Sequence, residues 1–395
     1  MKERKAPDRL ENVRVLMYSH DTFGLGHLRR CRTIAHALVD RFKGVTVLIV
    51  SGSQIAGAFE FKARVDFVKV PSVIKLYSGD YASMSEHIDL ADTLALRTAL
   101  IRQTARKFRP DILIVDKEPM GLRGEMEPTL MMMKRMGVPT VLGLRDVMDA
   151  PDALAREWAK RSVPAKIDRF YDEIWAYGPP DFHDPLAGIE LADGVRERMR
   201  YTGFLHREAP DDATMPEGWM PDAIVVTAGG GGDGAQLMSN VLAACEADST
   251  LDAPYLLVTG PFMPTEEREA VRARAARLPN ASVIDFDAGM EAIVARAAGL
   301  VGMCGYNTFC EVLSFDKPAL FLPRTRPRAE QAIRAGRAQE LGYAQMLGVE
   351  EAADPARMAA ALHALERQPK PSRTLPDDAL CGLNTVCERV AELTR

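Results

Sequence analysis

Gly24-Leu25-Gly26-His27, with Arg30 three positions on, is the first set of residues in this chain that could do chemistry. The glycines let a substrate approach the backbone, and His27 opens a helix predicted to run to about residue 40. A helix's positive end disfavours imidazolium, so His27 is expected to be neutral and free to take a proton. That suits a general base acting on a hydroxyl, a role contributing about 10²–10⁴-fold in rate. A capping His with a structural or phosphate-binding role fits the same spacing. His20 and Asp21 precede the turn and could orient it. Asp116 and Glu118 end a buried strand, and either could be a base or a substrate contact. Arg145 and Asp146 occupy the equivalent edge one strand later. For each of these four, a solvated strand end is the plainer alternative.

A second set is the run Gly229-Gly230-Gly231-Gly232-Asp233-Gly234, between a strand and a helix. It contains G-x-G-x-x-G at Gly229, Gly231 and Gly234. The acid that a dinucleotide site needs about 20 residues on is missing, because the next strand ends in Val258-Thr259-Gly260. What remains is a loop whose N–H groups suit a diphosphate. A third set lies in 299–342. A strand over 300–302 leads through Cys304-Gly305 into a helix over 306–314 carrying Asn307, Thr308 and Glu311. A strand over 319–322 then leads to a helix opened by Glu330 and Gln331 and closed by Gly342. Glu311 sits one turn inside its helix and leans toward the N-terminus, so it could accept two hydroxyl hydrogens, as from a ribose diol. Glu330 and Gln331 can bond sugar hydroxyls. Arg324, Arg326 and Arg328 could bind phosphate or an anionic substrate, or form a solvated basic loop.

These residues need a frame. Strands are expected over 13–19, 45–51, 67–70, 111–115, 140–144 and 173–176, with helices over 86–108 and 125–136 and a loop carrying Tyr77, Gly79 and Tyr81. The alternation restarts at 223–227 after a polar, Pro-bearing run, with strands over 255–258 and 282–284 and helices to 247, from 265 and over 290–297. Strands alternating with helices imply parallel sheets covered on both faces. The fold class is α/β: two Rossmann-like domains, expected to face a central cleft. Their bounds are 1–203 and 204–378, with a final segment 379–395 whose helix is expected to pack back on the first domain. A chain of 395 residues is long enough for two cores, since single cores stop growing near ~250–300 residues.

Composition narrows the function. A net charge of −5 gives no reason to expect a nucleic-acid partner. No apolar run approaches the ~20 residues of a membrane span. The charged start Met1-Lys-Glu-Arg-Lys has no apolar segment behind it, so a secretion signal is not expected. Six scattered Cys without a Cys-x-x-Cys pair are read as reduced, cytosolic, mostly buried thiols. The cluster Met131-Met132-Met133 with Met136 is read as core filling.

The C-terminal stretch resembles family 28 glycosyltransferases, the group that includes the peptidoglycan N-acetylglucosaminyltransferase. Gly305, Thr308, Glu311, Pro318, Pro323 and Gln331 match that family's nucleotide-sugar site. Glu330 stands where the peptidoglycan enzyme has a second Gln. The Gly-rich loop, with Gly230, Gly231 and Gly232, matches in position, as does the Gly-Gly-His turn at Gly24, Gly26 and His27. Thr202-Gly203-Phe204-Leu205 resembles the domain crossover. The resemblance implies the GT-B fold and an inverting, metal-independent transfer from a UDP-sugar, with no cofactor required. It places the base pocket at Phe286, Asp287 and Met290, and leaves Arg30, Arg145 and Arg324 as phosphate or acceptor contacts. The acceptor class stays open: polysaccharide, lipid-linked sugar or small molecule. A cytoplasmic location is implied, with peripheral contact at the inner membrane face compatible. Gly-Leu-Gly-His-Leu-Arg-Arg-Cys also looks like the start of the UDP-sugar hydrolase of pseudaminic acid synthesis. A UDP-sugar 2-epimerase shares the fold. A nucleotide-sugar sensor is the non-enzyme alternative.

Overall fold

The computed structural model describes residues 10–20, 25–75, 81–84 and 87–395. Asp21, Gly24, Tyr77, Gly79 and the charged start 1–5 lie outside these. The chain divides into two compact units, Met1–Leu205 with Cys381–Arg395, and His206–Leu380.

The first unit begins β1 (Val13–Ser19), α1 (Gly26–Arg41), β2 (Val45–Ser51), β3 (Val65–Lys69) and a short antiparallel pair, β4 (Val73–Lys75) and β5 (Tyr81–Ser83). It continues α2 (Leu90–Phe108), β6 (Ile112–Asp116), α3 (Glu127–Met136), β7 (Thr140–Arg145), α4 (Pro151–Lys160), α5 (Val163–Phe170), β8 (Glu173–Tyr177), α6 (Asp193–Glu197) and β9 (Met199–Tyr201). The strands form one sheet in the order β3-β2-β1-β6-β7-β8-β9, each neighbouring pair parallel. Near-continuous apolar strands such as Ile112–Asp116 are buried along their whole length, as a two-sided parallel sheet requires. The order reverses at β1/β6, the place in a doubly wound parallel sheet where ligands generally bind at the strands' carboxyl ends.

Several local readings are corrected. The helix expected over 86–108 starts at Leu90, because the Asp89 side chain accepts from the Asp92 N–H and caps it there. The helix expected from residue 125 starts at Glu127, after a 3₁₀ turn that follows Gly121 at φ +66°. Helices α4 and α5 were not expected. Their apolar spacing is nevertheless present: Leu154 and Trp158 in one, Val163, Ile167 and Phe170 in the other, all buried.

The second unit runs β10 (Ile224–Thr227), α7 (Ala235–Ala247), β11 (Tyr255–Val258), α8 (Thr265–Ala275), β12 (Ala281–Ile284), α9 (Met290–Arg296), β13 (Gly299–Gly302), α10 (Tyr306–Ser314), β14 (Ala319–Phe321), α11 (Glu330–Glu340), β15 (Gln345–Met346), α12 (Val349–Ala352) and α13 (Pro355–Leu365). Its parallel sheet is ordered β12-β11-β10-β13-β14-β15, reversing at β10/β13. The turns at that reversal are the Gly-rich loop and Cys304-Gly305.

The last helix, α14 (Gly382–Leu393), belongs to the first unit and packs against α1. The Gly382 N–H donates to the Phe204 carbonyl, and a Cβ at Gly382 would lie 2.5 Å from the Gly203 oxygen. Arg389 then pairs with Glu173 of β8. A residue with a side chain at 382 would hold α14 off this surface.

Candidate functional site

In the first unit the site grows from the β1/β6 reversal. His27, the second residue of α1, places Nδ1 2.5 Å from Oδ2 of Asp116, the last residue of β6. Arg30, one turn further along α1, donates from Nε to Asp116 Oδ1 at 2.7 Å and from Nη2 to Oδ2 at 2.6 Å. An ionised carboxylate only accepts, so Nδ1 of His27 carries the proton and Nε2 keeps its lone pair. Asp116 and Arg30 are buried, whereas the His27 side chain keeps 14% exposure. The three form an oriented imidazole backed by a neutralised carboxylate.

The electrostatics agree with that arrangement. Burial pushes the His27 imidazole down to about 3, against the pull of Asp116, and the Lys117 and Arg30 charges push the same way. His27 is therefore neutral, as the sequence implies, but burial and not the helix end leads among the causes. Burial alone would raise the Asp116 carboxyl; the Arg30 charge and the His27 hydrogen bond outweigh it and hold the group below the usual carboxylate range. Arg30 is held above its ordinary value by Asp116, despite burial.

This changes the reading of the two carboxylates. Both oxygens of Asp116 are committed, so it orients His27 and is a poor base. Glu118 is turned to another partner: its Oε1 lies 2.8 Å from Nη2 of Arg161, at the end of α4. Among the described residues no hydrogen bond or ion pair joins Glu118 to His27. Arg145 ends β7 and is partly buried, with Asp146 buried beside Gly178. Gly26 opens α1, while Gly24 lies outside the described residues.

Sequence reasoning missed two contributors here. Lys117, between the two carboxylates, adopts φ +66°, and its N–H donates to the Gly143 carbonyl at 2.7 Å. Gly143 itself makes room for Tyr177: a Cβ there would fall 2.1 Å from the Tyr177 hydroxyl oxygen. Tyr177 faces the charges of Asp116 and Arg30, and burial raises its hydroxyl well above the ordinary value. Only the fold makes Gly143 recognisable as part of the site.

In the second unit the Gly-rich loop is built by close backbone approach. Gly229 and Gly231 take φ +68° and +87°, and a Cβ at Gly231 would meet the Thr259 oxygen at 2.0 Å. The Phe262 N–H donates to the Gly230 carbonyl, tying the loop to the turn after β11. Gly232 is partly buried beside exposed Asp233. Arg324, following β14, donates to Asp233 of the loop and, at 3.3 Å, to Glu330 Oε1. The Arg324 N–H donates to Gln331 Oε1 at 3.2 Å. Glu330, Gln331, Arg324 and the Gly-rich loop therefore form one connected set.

Gly305 caps α10, and the space where its Cβ would stand is open. Asn307 and Thr308 in the first turn and Glu311 one turn in are buried, Glu311 almost completely at 1% exposed. Arg334 of α11 is fully buried, donates to the Cys304 carbonyl and stacks over the Tyr306 ring. Arg207 was missed by sequence reasoning, although it closes the string that begins Thr202-Gly203. It is 3% exposed and donates from Nη2 to Asn307 Oδ1 at 2.8 Å, with Nη1 unpartnered. Asp287 accepts from the Gly289 N–H ahead of α9, with Phe286 half-buried beside it and Met290 buried at the helix start.

Residues 223–379 match the family model described as the glycosyltransferase family 28 C-terminal domain. The whole chain shares its fold with solved glycosyltransferases. The glycotransferase of kitacinnamycin superposes with a TM-score of 0.66 at 15% identity, over 98% of this chain and 100% of that one. A UDP-glucosyltransferase from Polygonum tinctorium gives 0.60 at 15%, over 99% of each. MurG from Acinetobacter baumannii gives 0.56 at 14%, over 98% and 99%. No curated relative matches in sequence. The fold is GT-B: α/β, with a parallel sheet in each half. The protein is a glycosyltransferase that resembles family 28 and carries that family's C-terminal domain at 223–379. Among the described residues no helix is long and apolar enough to cross a membrane.

Proposed function

We propose that the protein transfers a sugar from a UDP-sugar to an acceptor hydroxyl, with inversion and without a metal. The observation that carries this is the His27–Asp116 pair, an imidazole held at Nδ1 whose Nε2 keeps its lone pair. His27 Nε2 takes the acceptor's hydroxyl proton as the oxygen attacks the anomeric carbon. The bond from that carbon to the β-phosphate oxygen breaks, and UDP leaves with the electron pair. Asp116 holds the resulting imidazolium in place and offsets its charge.

The second unit is proposed to hold the donor. Gly230, Gly231 and Gly232, with the Gly305 end of α10, meet the diphosphate through backbone N–H groups. Arg324, and Arg207 through its free Nη1, add positive charge there. Glu311 accepts from the ribose hydroxyls, and Glu330 with Gln331 selects the sugar. Phe286, Asp287 and Met290 border the base, and Asn307 and Thr308 line the α10 end. Arg145 serves the acceptor side, whereas Arg30, expected as a phosphate or acceptor contact, is buried against Asp116 and acts through that carboxylate. The family 28 domain match over 223–379 supports this division.

A thermal-shift screen against nucleotide sugars tests the donor class. Stabilisation by UDP-sugars, growing as RT ln(1 + [L]/Kd), is expected. The same shift from every nucleotide, or none from UDP-sugars, overturns the reading. UDP release at full rate without any acceptor would make the enzyme a hydrolase.

A further inference from the structure

His20 directly follows β1 and is 5% exposed. Its Nδ1 lies 3.3 Å from the Tyr18 hydroxyl. That hydroxyl donates its single proton to Glu125 Oε1 at 2.6 Å and accepts from the Leu122 N–H. With its proton spent, the Tyr18 oxygen can only accept from His20. Nδ1 of His20 therefore carries a proton and Nε2 does not. Glu125 is fixed in turn by Arg97, which donates to both its oxygens at 2.6 Å and to the Pro71 carbonyl. Arg97 and Glu125 are both buried, so this chain is locked on every side.

The far end of that chain meets the catalytic pair. The His20 ring stands edge-on to the His27 ring, with centroids 5.7 Å apart and planes at 89°. Asp116 grips His27 at one atom, which leaves the imidazole free to pivot about that bond. A ring standing at right angles against it opposes that pivot. Protonation of His20 is disfavoured first by burial, then by the charges of His27, Lys117 and Arg97, while Asp116 opposes them. A neutral neighbour adds no charge that would compete with the proton His27 has to take.

We propose that His20 is a positioning residue for His27, held as its Nδ1–H tautomer by the chain Arg97–Glu125–Tyr18. It acts through His27 and needs no contact with substrate. The proposal rests on His27 being the base, but its test is independent of turnover.

The test is nitrogen-15 NMR of the full-length protein labelled at histidine, with the His20 and His27 rings assigned from His20→Phe and His27→Gln. In the unchanged protein both rings are expected as the Nδ1–H tautomer between pH 6 and 8. In His20→Ala the His27 Nδ1 proton should exchange with water at least tenfold faster, and the His27 midpoint should rise by a unit or more. Tyr18→Phe keeps the volume and should make the His20 tautomer mixed. The backbone amide spectrum of the first unit should stay that of the parent away from the site in both variants, which separates loss of positioning from loss of fold. An Nε2–H or charged His20 in the unchanged protein overturns the proposal without any variant. So does a His27 signal in folded His20→Ala that exchanges and titrates as before. Failure of UDP to bind the unchanged protein would instead count against the donor reading.

Discussion

Asp116 accepts the Nδ1 proton of His27 across 2.5 Å while Arg30 donates to both of its oxygens. One carboxylate thus sets the tautomer of the proposed base and is itself neutralised by Arg30, one turn past His27 on α1. The arrangement separates two tasks that a lone carboxylate would have to combine: holding negative charge, and taking a proton.

Removing the imidazole should remove the base alone. His27→Gln is expected to lower transfer by about 10²–10⁴-fold, with UDP affinity within twofold of the parent's. Calorimetry with UDP beside a product assay checks both. Retained transfer would move the base elsewhere.

Breaking the pair from the other side should damage the fold as well. Asp116→Ala leaves Arg30 buried without its carboxylate, and removing one partner of such a pair typically costs about 3–5 kcal/mol. Urea unfolding reads the loss, and a change under about 1 kcal/mol would show that the buried arginine has another means of compensation.

pH should affect stability and catalysis differently. The His27 value is depressed in the folded state, to about 3, so the unfolded chain binds the extra proton first, near its ordinary pH of about 6.5. Stability is then full above that pH and falls as pH drops toward the folded value, by at most about 1.4 kcal/mol per unit from this residue. Asp116, also depressed, adds loss in the same sense at lower pH. Catalysis should not lose its base between pH 8 and 5. A turnover profile with a midpoint near 6.5 that tracks His27 would contradict the neutral imidazole with its lowered value.

Donor affinity should depend on one buried acid. Glu311→Ala is expected to weaken UDP binding by about 1.5–3 kcal/mol for each charged hydrogen bond lost. Equal UDP affinity by calorimetry would remove Glu311 from the ribose site.

The Gly-rich loop tolerates little bulk. In Gly231→Ala the new Cβ would sit 2.0 Å from the Thr259 oxygen at a φ of +87°. The loop must shift, so UDP affinity should drop at least tenfold and stability by about 1–3 kcal/mol. Unchanged UDP binding would place the diphosphate away from this loop.

Local pattern made much of the fold legible. Continuous apolar runs gave β1, β2, β6, β10 and β11 almost to the residue, and glycine after a strand marked the loops at 229–234 and 305. Helices α4 and α5 were not expected, although Trp158, Val163, Ile167 and Phe170 carry the spacing; the prolines at 151 and 164 stand in their first turns, where a missing N–H costs nothing. Glu118 shows what local pattern does not reveal: it follows Asp116 by two positions, but its ion-pair partner Arg161 lies 43 positions away.

The sequence by itself determined the strand–loop–helix order, the glycines that permit positive φ, and the residue types able to move a proton or bind a diphosphate. These depend on neighbours a few positions apart, where hydrophobic period and backbone freedom act. The tertiary structure decided which of those residues meet. Asp116 reaches His27 across 89 positions, and Arg207 reaches Asn307 across 100. Strand order brings such pairs together, and strand order is set by how two sheets bury their faces, a property of the whole packed unit that no short stretch encodes.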